Sequence, residues 1–67
     1  MIVLNGERCD LGAGEPLVSA LRRLEVDPDA GGVAVAVDGE VVPRSAWSSY
    51  ALPEGARVEV LTAMQGG

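Results

Sequence analysis

Apolar residues fall along the chain in short blocks separated by tight-turn dipeptides, and that spacing predicts strands more than helices. Met1 to Leu4 is one such block, followed by Asn5-Gly6 and then by Glu7 to Leu11. Asn-Gly accepts positive φ at both central positions of a two-residue type I′ turn, so the opening reads as an antiparallel hairpin. Val33-Ala34-Val35-Ala36-Val37 is apolar on both faces, which suits an interior strand. Asp38-Gly39 turns it back into Glu40-Val41-Val42, a second hairpin that Pro43 ends. In Arg57-Val58-Glu59-Val60-Leu61, charged residues alternate with apolar ones as in a final strand.

One segment keeps a helical period. Leu17, Leu21 and Leu24 recur at i, i+4 and i+7, with Val18 and Ala20 beside them. Glu15-Pro16 supplies an acid near the positive end of the dipole and a proline at the first helical position, and Arg22-Arg23 falls in the last turn. A helix from about Pro16 to Glu25 follows. Pro28 lacks an amide hydrogen and pushes Asp27 out of the α region, so Asp27-Pro28-Asp29 is expected to stop it. Gly12 to Gly14 and Ala30-Gly31-Gly32 read as loops. Arg44 to Leu52 has no clear period and reads as an irregular crossover with one short helical turn near Ser45 to Ser48, before a turn at Pro53-Glu54-Gly55.

Two strands, a helix, two strands, a crossover and a last strand make an α+β chain. The economical way to bury so many apolar faces is to lay the one main helix on one face of a mixed sheet of four to five strands. The final strand belongs in the middle of that sheet, and the connection from the first strand is long enough for the two to pair in parallel. This is the β-grasp (ubiquitin-like) layout, expected as a single domain over residues 1–67 with 62–67 as a flexible C-terminal tail.

Composition narrows the chemistry. Aromatics make up 3% of the 67 residues, as Trp47 and Tyr50 with no Phe, so the core must be aliphatic and close-packed. A domain this small buries only about 60% of its unfolded surface, which leaves little room for an enclosed active site. Ten acidic residues against five arginines give a net charge of −5. With Arg22-Arg23 as the only adjacent cations, nucleic acid is not an expected partner. The acidic surface either steers the chain toward a basic groove on another protein or keeps a small aliphatic domain in solution. The sequence holds no His and a single cysteine, Cys9, so zinc sites and Ser-His or Cys-His dyads lack their side chains, and no internal disulfide can form. That suits a reducing, cytoplasmic setting. Met1 to Leu4 is too short for a signal h-region or a membrane span, so no membrane association is expected.

The strongest chemical signal is the end. From Val60 to Gly67 there is no charged side chain, and the last two residues are Gly66-Gly67. Bare backbone can enter a channel too narrow for any Cβ and deliver a carboxylate there. Met64 offers a flexible apolar contact and Gln65 an amide that can both donate and accept. A carboxylate has no leaving group and needs activation, for which conversion to a mixed anhydride with AMP is the general solution. The sequence contains neither a phosphate-binding Gly-x-x-x-x-Gly-Lys-Ser/Thr loop nor any lysine, so a separate adenylating enzyme must supply that step.

Several stretches together resemble the ThiS family of ubiquitin-like sulfur carriers over nearly the whole chain. Asn5-Gly6 is similar to the family's early hairpin turn. Val33 to Val37, then Asp38-Gly39-Glu40-Val41-Val42-Pro43-Arg44-Ser45 and Trp47, resemble its central signature. Leu52, Gly55, Val58-Glu59-Val60 and Ala63-Met64-Gln65-Gly66-Gly67 resemble its closing strand and tail. Asp38 stands where Asn is common, and Leu61-Thr62 where Val or Ile and a small residue are common. The resemblance implies a protein cosubstrate rather than an enzyme, with Gly67 as the reactive carboxylate and Ala63, Met64, Gln65 and Gly66 as the partner-binding tail. It implies adenylation by a ThiF-type enzyme that consumes ATP, sulfur supplied by a donor such as a cysteine desulfurase, and delivery of a thiocarboxylate to thiazole synthase of the ThiG type. No cofactor and no metal would be bound by the chain itself. Carriers serving molybdopterin, cysteine or thionucleoside synthesis share this tail chemistry. A ubiquitin-like modifier would use the same end on lysines, and a plain binding module would need no free end at all.

Three side chains carry two readings each. Cys9 is either a sulfur relay or a packed thiol without a neighbour that lowers its pKa. Arg44 either meets an acidic partner or ties the crossover to a carboxylate or backbone carbonyl. Trp47 is either an interface anchor or part of the core.

Overall fold

A computed structural model describes residues 1–63. It contains strands β1 (Ile2–Leu4), β2 (Glu7–Cys9), β3 (Val33–Val37), β4 (Glu40–Val42) and β5 (Arg57–Thr62), with helix α1 (Leu17–Arg23) and a 3₁₀ turn at Arg44–Ala46. The strands form one sheet in the order β2-β1-β5-β3-β4. β5 runs parallel to β1 and antiparallel to β3, so the last strand is central, as expected from the apolar stretch Val58 to Leu61. The mixed five-stranded sheet with one helix is the β-grasp fold.

Both hairpins turn as the sequence predicts. Asn5 and Gly6 have φ of 50° and 84°, and Asp38 and Gly39 have 50° and 88°, which are the paired positive values a type I′ turn requires. β2 ends at Cys9 rather than Leu11, because β1 offers only Ile2 to Leu4 as partners and Ile2 already stands opposite Cys9.

The helix is shorter than predicted at both ends, for separate reasons. Pro16 is not the first helical residue but the extended residue before it, with ψ 151°. A bridge to Ala51 holds it there, flanked by the Leu17 N–H donating to the Tyr50 carbonyl at 2.8 Å and the Leu52 N–H to the Glu15 carbonyl at 2.8 Å. At the other end Glu25 adopts φ 59°, and the chain reverses before Pro28 is reached. The Glu25 N–H donates to the Arg22 carbonyl and the Val26 N–H to the Leu21 carbonyl, both at 2.9 Å, the pair of bonds that defines a Schellman motif. A glutamate pays a steric penalty in that conformation that glycine does not. Glu25→Gly is therefore expected to stabilise the domain by about 0.5–1 kcal/mol, read as a higher urea midpoint at unchanged slope.

The core lies between α1 and one face of the sheet. Ile2, Leu17, Leu21, Val35, Val37, Leu52 and Val58 are fully buried, and no polar or charged residue is buried among the described residues. Trp47 is 2% exposed, which settles it as core rather than interface anchor, and its Nε1–H donates to the Val42 carbonyl at 2.8 Å. Cys9 is a buried free thiol on β2, at the sheet edge with β1 between it and β5. The crossover makes its short turn one residue earlier than predicted, with extended Pro43 fixing its start.

The sheet also extends further than predicted. Thr62, expected as the first residue of the tail, is the last residue of β5 and pairs with Val33. β3 continues to offer backbone there, so leaving the sheet before Thr62 would forfeit that pairing.

Candidate functional site: the end of the central strand

β5 carries the chain from the core to the tail, and turn side chains from both hairpins grip it. At its start, the Asp38 N–H donates to the Arg57 carbonyl at 2.8 Å, and Asp38 Oδ1 accepts from the Arg57 N–H at 2.9 Å. Asn5 does the same nearer the end. The Asn5 N–H donates to the Val58 carbonyl at 2.9 Å. Its side-chain Oδ1 accepts the Val60 N–H at 2.8 Å, while Nδ2 donates to the Val60 carbonyl at 3.3 Å. The Asn5 amide thus extends the β1–β5 pairing past the last β1 residue, Leu4, by imitating one more peptide unit.

An aspartate at position 5 would lack the donor, and glycine would lack both groups while keeping the positive φ. Asn5→Gly is accordingly expected to cost about 1–3 kcal/mol, because the Val60 backbone groups in this half-buried place lose their partners. A urea titration reads the loss, and hydrogen exchange at the Val60 amide should speed up with it.

Beyond Val60 the described pairing of β5 comes from β3. Leu61 stands opposite Ala34 and Thr62 opposite Val33. One residue further, the Ala63 N–H donates to the Gly32 carbonyl at 2.6 Å. Gly32 has φ +74°, and a Cβ on it would lie 3.2 Å from the Ala63 Cβ.

The loop that holds Gly32 is itself tied down. The Arg44 guanidinium donates to the carbonyls of Pro28 and Ala30, and it lies 4.6 Å from the centre of the Trp47 ring. Of the two readings of Arg44, the structure bears out the tie to backbone carbonyls. A planar fork that reaches two carbonyls while stacking on an indole is a task for arginine and not for lysine.

Of the tail residues nominated from sequence, Ala63 lies at the exposed end of this strand, and Met64, Gln65, Gly66 and Gly67 lie outside the described residues. Among the described residues no three His, Cys, Asp or Glu side chains gather as a metal site, and no helix is long and apolar enough to cross a membrane. A cavity of about 300 Å³ opens beside Cys9, lined also by Leu4, Glu7, Arg8, Asp10, Arg23 and Leu24. It sits at the β2 edge of the sheet, with β1 between that edge and the tail-bearing strand. Sequence reading missed the parts played by Asn5 and Gly32 in holding β5. Asn5 and Val60 are 55 positions apart, and nothing local to either residue marks the contact.

On the open face of the sheet Val41 and Leu61 are 77% and 69% exposed. Ala34, paired with Leu61, and Ala36, paired with Val41, join them in an apolar strip that runs to the end of β5.

Comparison with known proteins agrees with this architecture. The crystal structure of thiamine biosynthesis protein ThiS from Geobacter metallireducens matches at 31% identity and a TM-score of 0.72, covering 98% of this chain and 97% of that one. The solution NMR structure of a thiamine biosynthesis protein from the same organism matches at 31% identity and a TM-score of 0.75, covering 98% and 86%. No curated protein matches the chain. The sequence model of the ThiS family matches residues 2–67, which includes the diglycine. The chain belongs to the ThiS family.

Proposed function

We propose that this protein is a sulfur carrier for thiamine biosynthesis, whose Gly67 carboxylate is the group that is activated, loaded and discharged. The observation that carries the reading is the central position of β5, gripped on both sides up to Val60 and leading directly into an uncharged stretch that the family model follows to residue 67. A central strand is the most rigid mount a small sheet provides, which suits a protein that must present its own chain end to more than one enzyme.

The chemistry requires a partner. A ThiF-type adenylating enzyme joins the carboxylate to the α-phosphorus of ATP and releases pyrophosphate. A sulfur nucleophile then adds to the carbonyl carbon and AMP departs with the electron pair of the broken C–O bond. If the sulfur arrives as a persulfide from a donor such as a cysteine desulfurase, a thiol must then cleave the S–S bond to free the thiocarboxylate. The loaded end is a better nucleophile than the carboxylate it replaces. It transfers its sulfur to a carbonyl-derived intermediate on a thiazole synthase of the ThiG type and returns as a carboxylate. The chain binds no cofactor in this cycle, and Ala63 to Gly66 serve as the segment the partner channel holds.

ATP–pyrophosphate exchange tests the first step. With the ThiF-type enzyme of the same organism, exchange is expected to depend on added carrier and to saturate with it. Exchange that is indifferent to the carrier would overturn the proposal.

A further inference from the structure

We propose that Gly32 is a positioning residue, which sets the direction in which the tail leaves the sheet and so delivers the terminal carboxylate to the adenylating centre. The proposal rests on the reading of Gly67 as the adenylated group.

Gly32 immediately precedes β3 and Ala63 immediately follows β5. The Val33–Thr62 register makes them the next neighbours across the two strands. Three observations meet at this pair. The Ala63 N–H donates to the Gly32 carbonyl at 2.6 Å, which fixes the last described peptide of the strand. Gly32 has φ +74°, a left-handed conformation in which a side chain is strained. A Cβ there would also stand 3.2 Å from the Ala63 Cβ and 3.5 Å from its carbonyl oxygen, so Ala63 occupies the space that the missing side chain leaves.

Among the described residues this contact is the last one to act on the exit. The Asn5 clamp on the β1 side ends at Val60, so the path from Leu61 to Ala63 is governed from the β3 side, and Gly32 is the final described part of it. The loop before Gly32 is held in turn by Arg44, through the carbonyls of Pro28 and Ala30 and through its stacking on the buried Trp47. The core is therefore connected to the exit by Trp47, Arg44, the loop and Gly32 in sequence.

The leverage is large. Four residues drawn out in a partner's channel span about 13 Å, so a tilt of about 10° at Ala63 moves the end by about 2 Å. Displacement of a reacting group by about 1 Å can lower a rate about 100-fold.

The test is ATP–pyrophosphate exchange by the ThiF-type enzyme with a set of carrier variants whose thermal melts confirm folding. Gly32→Ala is expected to lower kcat/KM at least about 10-fold, carried by kcat and not KM, because the residues proposed to enter the partner's channel are themselves unaltered. Adding Ala63→Gly removes the Cβ–Cβ contact, and measured against Ala63→Gly alone, which carries any direct effect of residue 63 on the partner's channel, the Gly32→Ala loss is expected to shrink to a small part of its size in the native background. The Ala63 amide should be protected from hydrogen exchange in the native chain, unprotected in Gly32→Ala and protected again once Ala63→Gly is added. Native kinetics in Gly32→Ala, or a Gly32→Ala defect just as large in the Ala63→Gly background, would overturn the positioning role. If the native chain itself supports no exchange, the Gly67 reading fails and takes this role with it, an outcome distinct from a loss confined to the variants.

Discussion

Removal of Gly67 is expected to abolish adenylation while leaving the fold untouched. The chain end would then be the Gly66 carboxylate, set back by about 3.5 Å along the tail. A shift of that size exceeds what a reaction between positioned groups tolerates, and a fall in kcat/KM for ATP–pyrophosphate exchange of at least about 100-fold is the expected result. Every buried residue of the described core lies between Ile2 and Val60, and the last described strand pairing is at Thr62, so the thermal midpoint of the truncated chain should match that of the parent. The separation of the two readouts is the point of the experiment. A truncation that keeps full exchange would place the activated group elsewhere, and one that lowered the midpoint substantially would mean that the tail has a structural task.

The largest effect on stability is expected from Trp47→Ala. Trp47 is 2% exposed, its indole N–H is the donor to the Val42 carbonyl, and its ring supports the Arg44 guanidinium. Truncating a buried Trp to Ala costs about 3–5 kcal/mol through lost burial and the cavity left behind. The orphaned carbonyl adds to that if water does not reach it. A domain of 67 residues has roughly 3–10 kcal/mol of stability in all, so the variant is expected to be close to unfolding at room temperature. Trp47→Phe keeps most of the ring and loses the N–H, and a smaller cost of about 1–3 kcal/mol is expected from it. Urea titrations of the two variants separate the packing contribution from the hydrogen bond. A cost below about 1 kcal/mol for Trp47→Ala would contradict the assignment of this residue to the core.

The fold was legible where its determinants are local. Asn5-Gly6 and Asp38-Gly39 announce their turns because few dipeptides tolerate positive φ twice in a row. The alternation through Val58 and Val60 announces a strand with one buried face, and its central place follows from the need to bury apolar neighbours on both sides. What escaped is what depends on distant partners. Pro16 looks like a first helical residue until a bridge to Ala51 holds it extended, and Pro28 looks like the helix stop until Glu25 turns left-handed ahead of it. The candidate site divides in the same way. The diglycine and the missing lysines and histidines could be read directly, and they directed attention to the chain end. The devices that aim that end, Asn5 on Val60 and Gly32 on Ala63, join residues from opposite parts of the sequence and carry no local mark.

The measurement closest to the central claim is the intact mass of the carrier after incubation with its ThiF-type enzyme, ATP and a sulfur donor. A carrier that works through its terminal carboxylate should gain the mass difference between one sulfur and one oxygen, with the change confined to the C-terminal peptide. The gain should vanish when ATP is omitted or Gly67 is deleted. An unchanged mass in the presence of an enzyme that does adenylate the chain, or a sulfur found on Cys9 instead, would contradict the account.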